Sequence, residues 1–142
     1  MKRSSITPVF VDIIPDRLEE GYLYICERYK TVAHKCCCGC GEEVITPLSP
    51  ADWTIRVLGK TVSLIPSIGN WSFACKSHYW ISNNKVLWAS KLSARQIDQV
   101  KARDKADKKA YIVAINKQKE RQVKPISFVA RVWQAFKHWW KS

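Results

Sequence analysis

The sequence contains no uninterrupted apolar run of the roughly 18 residues that a membrane-spanning helix needs, so no helix is expected to cross a bilayer. Its first residues are basic but lead into no apolar segment of signal-peptide length, which favours a cytoplasmic location. The chain has no P-loop motif, and its 142 residues are too few for a TIM barrel or a multidomain enzyme. These absences leave one small domain, or a small domain with an appendage.

Acidic side chains are scarce, with 12 against 24 Lys and Arg, and the net charge is +12. The imbalance is concentrated near the C-terminus, because residues 92–142 carry 13 basic and four acidic side chains. All six cysteines lie in residues 1–91. We therefore predict a cysteine-containing domain over residues 1–91 and a basic tail over residues 92–142.

The first part is predicted to form a small antiparallel sheet, because short aromatic and β-branched segments alternate with turn residues. Five segments have this composition: residues 22–26, 53–57, 61–65, 79–82 and 85–88. Gly59 predicts a tight turn between the second and third segments, and Asn83 and Asn84 predict one between the last two. The lone Cys26 is expected to be a small core residue.

The tail is predicted to be helical, since no Gly or Pro occurs from Leu92 to Lys124. Ser93 and Gln96 have the spacing of a helix-capping pair. Pro125 is expected to break the helix, and a last helix is expected from about Ser127. Together the two parts predict an α+β protein.

Cysteines crowd one short segment of the chain. Cys36, Cys37, Cys38 and Cys40 fall within five positions, and Cys75 follows 35 residues later, close to His78. Clustered cysteines in a cytosolic chain point to a metal site rather than to disulfides, and neighbouring cysteines pair poorly with each other. We therefore predict a tetrahedral Zn²⁺ site that stabilises a zinc-ribbon-like β domain.

More candidate ligands exist than the four positions of a zinc site. The spacing alone leaves seven: Cys36, Cys37, Cys38, Cys40, Cys75, His34 and His78. Cys37 and Cys40 have the spacing of a conventional zinc knuckle, whereas Cys36, Cys38 and Cys40 alternate and could act together with Cys75.

Four blocks of the first part are long and specific: residues 34–41 (HKCCCGCG), 48–50 (LSP), 66–81 (PSIGNWSFACKSHYWI) and 88–89 (WA). They resemble a bacterial family first catalogued as a domain of unknown function, and in particular the peptidase component of Bub-type operons for ubiquitin-like protein conjugation. The family pattern reads Cys-Pro-Cys-Gly-Cys-Gly, so Cys37 here stands in place of a proline. The resemblance therefore implies Cys36, Cys38 and Cys40 as ligands, together with Cys75, and leaves Cys37 as an additional thiol.

The resemblance also implies a peptidase that acts on a ubiquitin-like protein or its conjugates. Such a hydrolase needs a nucleophile and a base, and the matching block contains Ser67, Ser72, Ser77 and His78. Neighbouring residues on a strand point to opposite faces, so Ser67 is a better partner for His78 than Ser77 is. Gly69 and Asn70 are candidate oxyanion donors, and three carboxylates are candidates to orient His78: Glu42, Glu43 and Asp52. His78 as a metal ligand remains an alternative.

The end of the tail has an amphipathic, tryptophan-rich pattern. Apolar side chains recur at helical spacing: Phe128, Val129, Val132, Trp133, Phe136, Trp139 and Trp140. Residues 126–142 are predicted to pack on the sheet, to lie on a membrane surface or to dock on a partner protein. Nucleic acid is a less favoured partner, because the charged segment before them lacks interleaved aromatic residues.

The leading functional prediction is a serine-type peptidase that deconjugates or processes a ubiquitin-like modifier, with Ser67 and His78 as its main residues, Ser77 as a further candidate, and a structural zinc beside them. The rival is a non-enzymatic zinc-ribbon adaptor that binds protein or nucleic acid through its basic tail.

Overall fold

The computed structural model describes residues 1–140, which form two compact units, Met1–Val100 and the part from Lys101 onward. The elements described are β1 (Thr7–Phe10), β2 (Tyr22–Cys26), β3 (Thr31–Lys35), β4 (Glu43–Pro47), β5 (Thr54–Leu58), β6 (Thr61–Gly69), β7 (His78–Ser82), β8 (Lys85–Trp88) and α1 (Ala94–Trp140). The boundary that we predicted between residues 91 and 92 stays a prediction.

The strands form two four-stranded sheets with the orders β1-β2-β3-β4 and β5-β6-β7-β8. The pairing is antiparallel except between β1 and β2, which run parallel. The predicted α+β class is confirmed, but the single small sheet was an underestimate. Strands β1, β3 and β4 were missed; β1 and β4 contain Pro, which strands disfavour.

Both predicted hairpins are present, because their turn residues can adopt the left-handed conformation. Gly59 has φ of 60° between β5 and β6, and Asn83 and Asn84 have φ of 48° and 64° between β7 and β8. The side-chain oxygen of Asn84 also accepts a hydrogen bond from the amide of Val62, at 2.8 Å. Strand β7, which begins at His78, pairs antiparallel with β6.

The two sheets share one apolar core. Its members are Ile6, Leu23, Ile25, Val32, Cys36, Cys37, Val44, Val62, Leu64, Ile68, Tyr79, Ile81 and Val86. A buried polar contact joins the sheets within it, since Nε2 of His34 on β3 lies 2.8 Å from the hydroxyl of Tyr79 on β7. Cys26 is also fully buried, as predicted for a core residue.

The buried imidazole of His34 makes the stability of the fold dependent on pH. Burial lowers its pKa from 6.5 to about 3, so the folded chain keeps His34 neutral while the unfolded chain takes up a proton. Stability is complete above pH 6.5 and is expected to fall by about 1.4 kcal/mol per pH unit below it. The free energy of unfolding of wild type and of His34→Gln is measured by denaturation between about pH 4.5 and pH 6. The slope of this free energy against pH should be smaller in the variant by the equivalent of about one proton. Equal slopes would contradict this role.

Helix α1 begins as the sequence predicted. Ser93 Oγ accepts a hydrogen bond from the amide of Gln96 at 3.3 Å, and Gln96 Oε1 accepts one from the amide of Ser93 at 2.8 Å. The predicted break at Pro125 is wrong, because α1 is continuous from Ala94 to Trp140. Proline removes one backbone donor and usually breaks a helix, but here the helix continues through it. Within residues 1–140, no helix combines the length and the apolar character needed to cross a membrane.

Candidate functional site

Four cysteine thiols meet where the two sheets come together. The sulfurs of Cys36, Cys38, Cys40 and Cys75 all lie within 4.8 Å of one another. The Sγ atom of Cys36 is 3.4 Å from that of Cys38 and 3.9 Å from that of Cys75, and Cys40 Sγ is 3.8 Å from Cys75 Sγ. Four sulfurs that surround one zinc ion at about 2.3 Å in a tetrahedron are about 3.8 Å apart. The cluster could therefore hold a metal ion.

The cluster joins a loop of one sheet to a loop of the other. Cys36, Cys38 and Cys40 lie between β3 and β4, in a turn where Gly39 and Gly41 have φ of 87° and 86°. Cys75 lies between β6 and β7. The turn is closed by a hydrogen bond from the amide of Cys36 to the carbonyl of Glu42, at 2.8 Å. The positive φ angles require glycine and let alternate cysteines turn inward.

The other candidate ligands have different surroundings. Cys37 is buried in the core, and burial raises the pKa of its thiol to about 11, which keeps it protonated at neutral pH. His34 faces Tyr79, and His78 faces a serine hydroxyl. The spacing in the sequence left seven candidate metal ligands. The directions of the side chains reduce them to the four clustered thiols.

The thiols of the cluster differ in how readily they ionise. Partial burial raises the pKa values of Cys38 and Cys40, and for Cys38 the adjacent thiols raise it further. Burial also acts to raise the pKa of Cys75, but hydrogen bonds from the hydroxyl and the backbone of Ser77 outweigh it and lower the pKa to about 7. The lowered pKa favours the thiolate form of Cys75, which is the form that binds a metal ion.

A polar network supports the cluster from the side of β7. Asn70 Nδ2 donates to Ser77 Oγ at 2.9 Å and to Cys36 Sγ at 3.5 Å. The backbone amide of Asn70 donates to the carbonyl of Ser77 at 2.9 Å, which closes the connection between β6 and β7. The backbone amide and the Nδ2 group of Asn70 both donate within this network. The predicted role as an oxyanion donor therefore does not fit Asn70.

Ser77, a candidate for catalysis from its position in the matching block, lies in this same network. Its buried hydroxyl is 3.1 Å from the sulfur of Cys36 and 3.5 Å from that of Cys75. The hydroxyl of Ser77 therefore faces the thiol cluster, and the serine that contacts His78 is Ser67. The physical reason is strand alternation, which sends neighbouring side chains to opposite faces.

Ser67 and His78 meet on the neighbouring strands β6 and β7. Ser67 Oγ lies 3.0 Å from Nε2 of His78, within hydrogen-bond distance. Gly69 is the register partner of His78, so Ser67 comes from two residues before that pair. Both side chains are half-buried. A serine hydroxyl within hydrogen-bond distance of an imidazole nitrogen is the arrangement of a nucleophile and its general base.

Two indole rings enclose the imidazole of His78. The ring of Trp71 is 5.0 Å from it at an angle of 61°, and the ring of Trp80 is 5.2 Å away at 37°. Trp71 also lies over Gly69, where any Cβ would overlap its indole. Burial lowers the pKa of His78, which favours the neutral form that a base requires. Sequence reasoning missed both indoles, although the i, i+2 spacing of His78 and Trp80 on a strand could have indicated one of them.

No carboxylate among the side chains that the structure describes contacts the second nitrogen of His78. The candidate Glu43 pairs with Lys35 at 3.4 Å, and Asp52 accepts a hydrogen bond from Ser49 at 2.7 Å. Nδ1 of His78 is buried without a hydrogen-bond partner in the described part of the chain. The imidazole of His78 is therefore held by its contact with Ser67 and by aromatic packing, with no carboxylate partner among the described residues.

Fold and site together define a small β domain with a contacting serine–histidine pair on adjacent strands and a four-cysteine cluster that could hold a metal. The chain belongs to the family described as bacterial ubiquitination-like system serine protease (BubE), whose model matches residues 10–89, more than half of the chain. The predicted resemblance to a Bub peptidase component is thus confirmed. No curated protein and no solved structure gives a significant match.

Proposed function

We propose that this chain is a serine-type peptidase that processes or removes a ubiquitin-like modifier, with Ser67 as nucleophile and His78 as general base. The observation that carries the proposal is the 3.0 Å contact between Ser67 Oγ and His78 Nε2. Membership of a serine protease family of a ubiquitination-like system supports the reaction and the modifier as its substrate. Ser77 is assigned to the cysteine cluster and not to the reaction.

In the proposed reaction, Ser67 Oγ attacks the carbonyl carbon of the scissile peptide or isopeptide bond while His78 Nε2 accepts the hydroxyl proton. His78 then gives that proton to the leaving amine, and the C–N bond breaks to leave an ester on Ser67. Water hydrolyses the ester with His78 again as base, which releases the modifier's carboxylate. The two indoles keep the imidazole oriented through both steps, which is one of the tasks that a carboxylate performs in a triad.

We also propose that Cys36, Cys38, Cys40 and Cys75 bind a structural Zn²⁺. Four thiolates fill a tetrahedral zinc ion and leave no position for a substrate or a water, so the metal would stabilise the fold and take no part in hydrolysis. The network from Cys36 through Asn70 and Ser77 then holds the start of β7, where His78 lies. The metal site and the dyad are thus proposed as separate functions of one region.

A serine-reactive fluorophosphonate is expected to label Ser67, because His78 can accept the proton as the Oγ–phosphorus bond forms and fluoride leaves. Since His78 acts when neutral and burial lowers its pKa below 6.5, the midpoint at which the labelling rate falls with decreasing pH should lie below pH 6.5. Mass spectrometry of the labelled peptide identifies the serine. Samples quenched at set times give the labelling rate at each pH.

Ser72→Ala is the matched control, because Ser72 is an exposed serine in the same β6–β7 connection and should not affect labelling. Ser67→Ala should abolish the label. A label on another serine, or a folded wild-type protein that takes up none, would contradict the dyad and favour the rival adaptor without enzymatic activity.

A further inference from the structure

The last turns of α1 present an apolar surface that the peptidase proposal does not use. Four side chains form it, here called the aromatic face: Val132, Trp133, Phe136 and Trp139. Their exposed fractions are 51%, 65%, 59% and 74%, high for such side chains in a folded protein. Phe136 and Trp139 pack at 6.0 Å between ring centroids, so the face is continuous.

The aromatic face has the arrangement of an amphipathic helix at a lipid surface, with apolar side chains on one side and a basic side chain at their border. At 100° per residue, Val132, Phe136 and Trp139 fall within about 60° of one another, with Trp133 at their edge. Lys137 borders them, with its ammonium 4.9 Å from the Trp133 ring. Such a lysine keeps its charge at the polar boundary while its stem covers apolar surface.

The charge of this part of the sequence indicates the kind of surface that the aromatic face would bind. From Arg121 to the end, the sequence has five basic residues and no acidic one. We infer that the aromatic face binds the surface of a membrane that contains anionic lipids, with the indoles at the headgroup level and the basic side chains near the phosphates.

Other occupants fit the same observations less well. A second copy would bring another chain of net charge +12 against this one, which is electrostatically unfavourable. Nucleic acid would satisfy the lysines, but its phosphate backbone gives no apolar partner to Val132 and Phe136. The inference does not depend on the peptidase proposal, because the face contains neither Ser67 nor His78.

The test uses the full chain and vesicles of phosphatidylcholine with and without phosphatidylglycerol, assayed by co-sedimentation and tryptophan fluorescence. We expect binding only to the anionic vesicles, weakened by added salt. Trp133→Ala/Trp139→Ala should lose binding by tenfold or more, and Lys137→Glu by about tenfold, because it reverses a charge near the surface. Labelling of Ser67 by the fluorophosphonate should be unchanged in both variants.

Ile112→Ala/Val113→Ala is the matched control, because these residues are similarly exposed on the same helix, outside the aromatic face. It should bind vesicles like the wild type. Three results would overturn the inference: no binding to anionic vesicles, equal binding to neutral ones, or self-association that Trp133→Ala/Trp139→Ala abolishes. The last would assign the face to a contact between copies.

Discussion

Ser67→Ala and His78→Ala are each expected to reduce cleavage of a ubiquitin-like modifier by about 10³-fold or more, with bound metal and fold retained. The physical reason is that each change removes one of the two atoms that meet at 3.0 Å, without contact to the cysteine cluster. The assay uses as its substrate a ubiquitin-like protein extended at its C-terminus by a short peptide. Initial rates at low substrate concentration give kcat/KM.

The double variant Ser67→Ala/His78→Ala sharpens this test. Two groups that act as one unit are not additive, so the double variant should lose little more activity than either single variant. Ser72→Ala serves again as the control and should retain full kcat/KM. Cleavage that persists in Ser67→Ala would show that the nucleophile lies elsewhere. Losses that simply add would show that the two residues act independently.

Cys75→Ser is expected to lose the metal and to lower the free energy of unfolding by about 4 kcal/mol or more. The substitution changes only one atom, and Cys75 is the thiol whose pKa is lowered to about 7. Its cluster also links the β3–β4 loop to the β6–β7 connection, so without the metal the two loops lose the link that the proposed ion provides. Elemental mass spectrometry gives the metal content, and denaturant unfolding gives the stability.

Chelation supplies an internal comparison for the metal. A strong chelator should lower the stability of the wild type to that of Cys75→Ser and should leave Cys75→Ser itself unchanged. Cys37→Ala, in the same turn but outside the cluster, should keep the metal while it loses some packing in the core. Wild-type protein that contains no metal, wild-type stability that chelation leaves unchanged, or Cys75→Ser protein that keeps its metal would refute the proposed site.

The two experiments separate the two halves of the proposed function. Ser67→Ala should retain metal and stability but lose cleavage, whereas Cys75→Ser should lose metal and stability first. His78→Ala tests most directly whether His78 acts in hydrolysis or binds the metal, because the sequence left both roles open. In the structure its Nε2 faces Ser67, so His78→Ala is expected to keep the metal.

Several features of the fold followed from short stretches of sequence. The turns at Gly59 and at Asn83–Asn84 were predictable because only a few residue types adopt positive φ without strain. The helix start at Ser93 was predictable because the capping hydrogen bonds involve residues three apart. Pro125 was the exception, since a local rule predicted a break where the helix continues.

The site was only partly accessible from the sequence. Strand alternation favoured Ser67 over Ser77 as the partner of His78, and the two side chains do meet. The indoles of Trp71 and Trp80, and the position of Ser77 beside Cys36 and Cys75, were not foreseen, because they depend on how the β6–β7 connection folds back.

The sequence by itself determined the elements that depend on local chemistry: two hairpins, a capped helix, a set of thiols suited to a metal, and membership of a peptidase family. The tertiary structure alone decided which side chains meet. A shift of one residue in strand register reverses the face of every side chain, so the contact of Ser67 with His78 requires the pairing of β6 with β7. Likewise, four cysteines form one cluster only because the two sheets pack against each other and bring Cys75 to the turn after β3.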